Sequence, residues 1–187
     1  MNLTLIAVIA LVISLVAIAF ALWALMEVRK TRRLRLKFGP EYDRALQSER
    51  DARHAEANLE KREKRVSKYN IRLLNPGEKE RFAERWRAVQ ERFVDNPRIA
   101  VAEADRLIDE AMKARGYPIS DFEAQAADLS VDYPVVVEHY RAAHEIDLRQ
   151  NGGRANTEDL RRAMQHYRAL FEEVIGTDVT EHHQEAR

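Results

Sequence analysis

Cysteine is absent from all 187 positions. Disulfides, cysteine nucleophiles, iron–sulfur clusters and thiolate metal sites are thereby excluded, while the compartment stays open, because an envelope protein can do without disulfides. The serines beyond the first apolar run (Ser48, Ser67, Ser120, Ser130) occupy no Gly-x-Ser-x-Gly elbow. No glycine-rich run precedes a Lys-Ser or Lys-Thr pair, so a phosphate-binding loop is lacking as well. Runs with strand alternation bounded by turn signals are missing too. The pattern that remains is all-α, with no chemistry that calls for a cofactor, and an enzyme is not expected.

Charge is absent from residues 1–26 and abundant thereafter, at 33% of the whole chain. The totals of 31 basic and 31 acidic residues cancel, but their distribution does not. Residues 27–38 hold six Lys or Arg against one Glu, which leaves 25 basic and 30 acidic residues over 39–187. The body is therefore mildly acidic. That argues against nucleic acid as a partner, since displacing counterions from phosphates needs a basic surface.

The uncharged segment from Leu3 to Met26 is broken only by the polar Thr4 and Ser14. As a helix it is about 36 Å long, enough for a hydrocarbon core of about 30 Å. Trp23 lies near its charged end, where an interfacial indole is expected. A cleaved signal peptide would need a basic start and a shorter apolar stretch. A buried core helix would need a polar face. The expectation is a transmembrane anchor over 1–27 followed by a basic juxtamembrane collar over 28–40. The collar residues Arg29, Lys30, Arg32, Arg33, Arg35 and Lys37 all follow the span. They predict contact with anionic membrane lipid, worth about 1 kcal/mol per basic residue near the surface. They also predict a single-pass cell-membrane protein with its C-terminal domain in the cytoplasm, the outer side being the alternative.

Gly39-Pro40 breaks the chain after the collar. Residues 41–75 read as a charged helical stalk. The heptad set Ala45, Ala52, Leu59, Val66, Leu73 is apolar, and its companion Ser48, Ala55, Arg62, Tyr69 is half polar. A solvated helix and a parallel dimeric coiled coil both fit, the second implying self-association through the stalk.

A helical bundle is predicted over 76–176. Asn75-Pro76-Gly77-Glu78 has the form of a capped helix start, and Phe82, Trp86, Val89 and Phe93 make one apolar stripe after it. Asn96-Pro97 opens the next helix, which stops at Gly116. Ser120-x-x-Glu123 reads as a capping box for a short helix, Tyr133-Pro134 opens a longer one, and Asn156-Thr157 starts the last, which ends at Gly176. Five helices joined by short loops suit a compact bundle. Residues 177–187 read as a disordered tail.

Histidines and carboxylates yield no compact catalytic pattern. His139 and His144 are five apart and so lie about 140° apart on a helix, a poor spacing for one metal. His166 would join one of them only if their helices pack together, and His182-His183 fall in the tail. Asp121, Glu123, Asp128 and Asp132 gather around the short helix, where capping and surface roles account for them. Arg115, Tyr117, Asp121, Phe122, Tyr133, Tyr140 and Arg141 are candidates for a partner-binding groove, because Tyr and Arg are favoured at such surfaces.

Several stretches resemble an uncharacterised bacterial family of membrane-anchored helical proteins. They are Phe38-Gly39-Pro40-Glu41-Tyr42-Asp43-Arg44, Trp86-Arg87-Ala88-Val89-Gln90 with Phe93-Val94-Asp95, Arg115-Gly116-Tyr117-Pro118, Ala126-Ala127-Asp128-Leu129-Ser130-Val131-Asp132, and Thr157-Glu158-Asp159-Leu160-Arg161 with His166-Tyr167-Arg168. The resemblance implies the same layout of apolar N-terminus, charged helix and helical domain, and supplies no activity. The functional expectation is a membrane-tethered, non-enzymatic interaction or scaffold protein with a protein partner. The alternative is a small-molecule or signal-sensing module at the membrane.

Overall fold

The computed structural model describes residues 3–118 and 120–176, with side chains from Leu11 onward. Among the described residues there are eight α-helices and no strand. They are α1 (Leu3–Phe38), α2 (Pro40–Ser48), α3 (Ala52–Val66), α4 (Pro76–Asp95), α5 (Pro97–Arg115), α6 (Phe122–Asp132), α7 (Val136–Asn151) and α8 (Thr157–Ile175). The chain forms two compact units, residues 1–59 and 60–187, with the division inside α3. The tail expected at 177–187 lies outside the described residues.

In the first unit the apolar segment and the collar are one helix. No glycine or proline occurs between Leu3 and Phe38, so nothing local stops α1 until Gly39, which takes a φ of 47°. Pro40 then occupies the first turn of α2, where its missing N–H costs nothing. Leu34, Phe38, Tyr42, Ala45, Ala55 and Leu59 are buried. Glu56 is buried with them, and its Oε1 accepts hydrogen bonds from the Thr31 hydroxyl at 2.7 Å and the Tyr42 hydroxyl at 3.0 Å. A carboxylate out of water is tolerable only with such donors.

The single helix expected over 41–75 is instead two helices and an extended segment. The chain bends at residues 49–51, between α2 and α3. Asp51 causes the restart: its carboxylate accepts the His54 backbone N–H at 2.9 Å, the bond of an N-cap. Ser48 ends α2 with its hydroxyl on the Ala45 carbonyl at 3.1 Å. The heptad positions therefore share no single helix. Ala45 lies on α2 and Leu59 and Val66 on α3, while Ala52 is exposed and Leu73 is non-helical and 74% exposed.

The second unit holds the bundle core. The stripe read from the sequence is buried at Phe82, Trp86 and Val89, and the Trp86 ring stacks on Phe171 at 4.6 Å. Around them pack Ala104, Leu107, Ile108 and Met112 of α5, Leu129 of α6, Val137 and Ala143 of α7, and Leu160, Leu170 and Val174 of α8. Each large apolar side chain removed from water contributes about 1.5–3 kcal/mol. The ends are set locally. Asn75 and Glu78 form a reciprocal capping box, as do Asn156 and Asp159. Gly116 and Gly176 close α5 and α8 in the left-handed region, and Lys79 Nζ donates to the Gly176 carbonyl at 2.9 Å. One cap differs from expectation. Asp121, not Ser120, caps α6 by accepting the Ala124 N–H at 2.9 Å. The Asp121 carboxylate sits three residues before that N–H and so outcompetes a hydroxyl one position further back.

Candidate functional sites on the collar and in the bundle

On α1 the helical advance of 100° per residue places Thr31, Leu34 and Phe38 within about 60° of arc. That arc is the covered one: Leu34 and Phe38 are fully buried and Thr31 is bonded to Glu56. The basic residues take up the remaining circumference. Arg29, Arg32, Arg33, Arg35 and Lys37 are exposed and Lys30 is half-buried. Arg35 reaches Asp43 at 3.9 Å and lies over the Tyr42 ring at 5.1 Å. From Leu11 to Met26 the large apolar side chains stand exposed, with Leu11 61%, Leu22 56% and Met26 62% exposed. Among the described residues this is the one helix long and apolar enough to cross a membrane.

Of the seven residues expected to form a partner groove, Arg115, Tyr117 and Tyr140 are buried, Phe122, Tyr133 and Arg141 are half-buried and Asp121 is exposed, and their contacts fall into two groups. Arg115 is buried at the end of α5. Its Nε donates to the Arg72 carbonyl at 3.2 Å, and its Nη1 donates to the Val174 carbonyl at 2.9 Å and to the Tyr133 hydroxyl. Its guanidinium also lies over the Tyr133 ring at 5.4 Å. Tyr117 is buried, donating to Asp132. The second group lies between α6 and α7. Phe122 stacks on His144 at 3.6 Å and tilts against Tyr140 at 4.8 Å, while Arg141 reaches Glu123 at 3.0 Å. Asp121 is the cap of α6.

The acidic residues around α6 likewise act singly. Buried Asp128 accepts from the Arg65 guanidinium and, at 2.8 Å, from the Tyr69 hydroxyl. Asp121, Glu123 and Asp132 each serve the different partner just described.

Two further features draw mostly on residues that the sequence did not mark. One is a polar seam inside the bundle. Asp105 of α5 accepts from the buried Tyr167 hydroxyl at 2.9 Å, and Asp109, one turn on, accepts from Gln125 at 2.8 Å and from the Tyr140 hydroxyl at 3.4 Å. Loss of water holds both carboxyls above the usual carboxylate range, with Asp109 and Asp147 adding to the effect at Asp105. Burial likewise raises Tyr140 and Tyr167, so both phenols stay protonated donors. The other feature is an open depression of about 320 Å³ between α4 and α5. Ala88, Val89 and Leu107 floor it. The ion pairs Arg85–Glu110 and Arg92–Glu103 cross it, with Arg106 at its rim. Arg and Glu on helix exteriors and single Asp–Tyr contacts have no periodic signature in a sequence.

His139 and His166 do meet, Nδ1 to Nδ1 at 2.9 Å across α7 and α8. No group of three or more His, Asp or Glu poised for a metal ion exists among the described residues. Compared with family models, with curated proteins and with solved structures, the chain matches none.

Proposed function

We propose that this is a membrane-tethered, non-enzymatic interaction or scaffold protein, anchored by α1 with its helical bundle on the cytoplasmic side. The observation that carries this reading is the continuity of α1 from a bare apolar surface into a collar whose basic residues ring every face except the one used for packing. Such a collar suits a bilayer surface bearing anionic lipid, and the position of the positive charge after the span favours a cytoplasmic bundle.

Two experiments test the reading. A reporter fused to the C-terminus should be active only inside the cell; activity only outside overturns the orientation. Crosslinking and capture of the full-length chain from membranes should recover one specific protein partner, and repeated recovery of none at cellular levels counts against the scaffold role.

The depression between α4 and α5 favours a second reading, a small-molecule or signal-sensing module. Two of its three arginines are paired with Glu110 and Glu103, so the lining carries one basic residue in excess beside Ala88, Val89 and Leu107, which suits a small, weakly anionic ligand with a hydrophobic part. A thermal-shift screen of anionic metabolites separates the two, because a ligand that binds only the folded state raises its melting temperature.

A further inference from the structure

His139 projects from the first turn of α7 and His166 from the middle of α8, and they touch through their Nδ1 atoms at 2.9 Å. The ring centroids are 5.2 Å apart with the planes 32° off parallel. The rings therefore meet edge to edge, with the two nitrogens between the ring centres. A neutral imidazole has one N–H and one lone pair. Contact at this distance requires a proton on one facing nitrogen and a lone pair on the other. A metal ion bound by both would need about 2.0–2.1 Å to each, which forces the nitrogens off that line. The geometry suits a proton and not an ion.

The charged surroundings make a second proton costly. Burial and the His139 ring both act against charge on His166, and so does Arg162, one turn earlier on α8. On α7 the facing group is His139 itself. The α5 carboxylates Asp105 and Asp109 bear on His144, Tyr140 and Tyr167. Among the described residues no carboxylate is bonded or ion-paired to either ring, so none directly offsets a doubly charged pair.

We propose that His139 and His166 form a proton-operated latch between α7 and α8, closed while the pair holds one proton between its facing nitrogens and opened when both nitrogens carry one. With zero or one added charge the N–H···N bond persists. With both Nδ1 atoms protonated each is a donor without an acceptor, two like charges face each other, and the side chains separate.

The test is imidazole NMR and amide hydrogen exchange on the full-length chain in nanodiscs, from neutral to mildly acidic pH. The pair should titrate in two separated steps, with His166 completing below the ordinary histidine range, and H139Q should move His166 back toward that range. Exchange in the facing turns of α7 and α8 should rise on the order of tenfold across the second step in the wild type and stay level in H139Q and H166Q. Independent single-step titration of both rings overturns the latch. So does an acid-induced rise in exchange that persists in H139Q/H166Q.

Discussion

Arg72 and Arg115 hold each other twice. The Arg72 backbone N–H donates to the Arg115 carbonyl at 2.8 Å, and the Arg115 side-chain Nε donates to the Arg72 carbonyl at 3.2 Å. The non-helical segment between α3 and α4 is thereby fastened to the C-terminal end of α5, where unpaired helix carbonyls need partners. The same guanidinium caps the Val174 carbonyl near the end of α8. Replacement of Arg115 by Met keeps the bulk and removes three donors. R115M is expected to lower stability by about 3 kcal/mol, because buried carbonyls lose their partners. Urea denaturation of wild type and variant measures this, and R115K should recover only part of the loss.

Gly116, the next residue, is constrained from two directions. Its φ is 101°, and a Cβ there would come within 2.3 Å of the Asn70 carbonyl oxygen. Both the left-handed backbone and the close approach exclude a side chain. G116A is expected to cost at least about 2 kcal/mol and to speed amide exchange at Arg72, whose bond to Arg115 the clash would pull apart. A change below about 0.5 kcal/mol would contradict the contact.

Glu78 gives a pH signature at the start of α4. The Arg72 guanidinium and the Asn75 backbone N–H hold its carboxyl down at about 2. A folded-state value below the unfolded one contributes stability above the unfolded value of 4.5, and that contribution fades as pH falls toward about 2. Carboxyl NMR should place the Glu78 midpoint there, and R72Q should raise it. Replacing the partner residue Asn75 by Ala removes the other half of the box, at a cost of about 1 kcal/mol.

Asp105 should behave in the opposite sense. Burial holds its carboxyl above the unfolded value, so its ionisation opposes folding as pH rises through that range. D105N keeps an oxygen that can accept the Tyr167 hydroxyl and removes the charge. The variant is expected to melt a few degrees higher than wild type at neutral pH, with the difference vanishing in acid below the ordinary carboxylate range. A lower melting temperature at neutral pH would mean that the Asp105–Tyr167 bond needs the anion.

What could be read from residue order was whatever is local. The stripe Phe82–Trp86–Val89, the caps at Asn75 and Asn156 and the stops at Gly116 and Gly176 all lie within a few residues of what they determine. The bend before α3 escaped because Ser48 and Asp51 break a helix by hydrogen bonding, without the glycine or proline that marks most breaks. Contacts between distant residues were illegible for a different reason. Arg65 and Asp128 are 63 positions apart, and only packing decides that this arginine among many meets that carboxylate. For the same reason residue order did not show that Arg115, Tyr117 and Tyr140 of the expected groove would be buried by contacts with distant residues.

The unbroken course of α1 has a mechanical meaning. A helix of 36 residues is about 54 Å long and, without glycine or proline, has no swivel between its apolar end and Thr31. The Thr31 hydroxyl grips Glu56, and Tyr42 grips the same carboxylate. Torque applied to the apolar end is carried along the shaft to that carboxylate. Whatever surrounds residues 3–26 thus sets the azimuth of the start of α3, and a quarter turn of the shaft would have to carry α3 with it or break the bonds at Glu56.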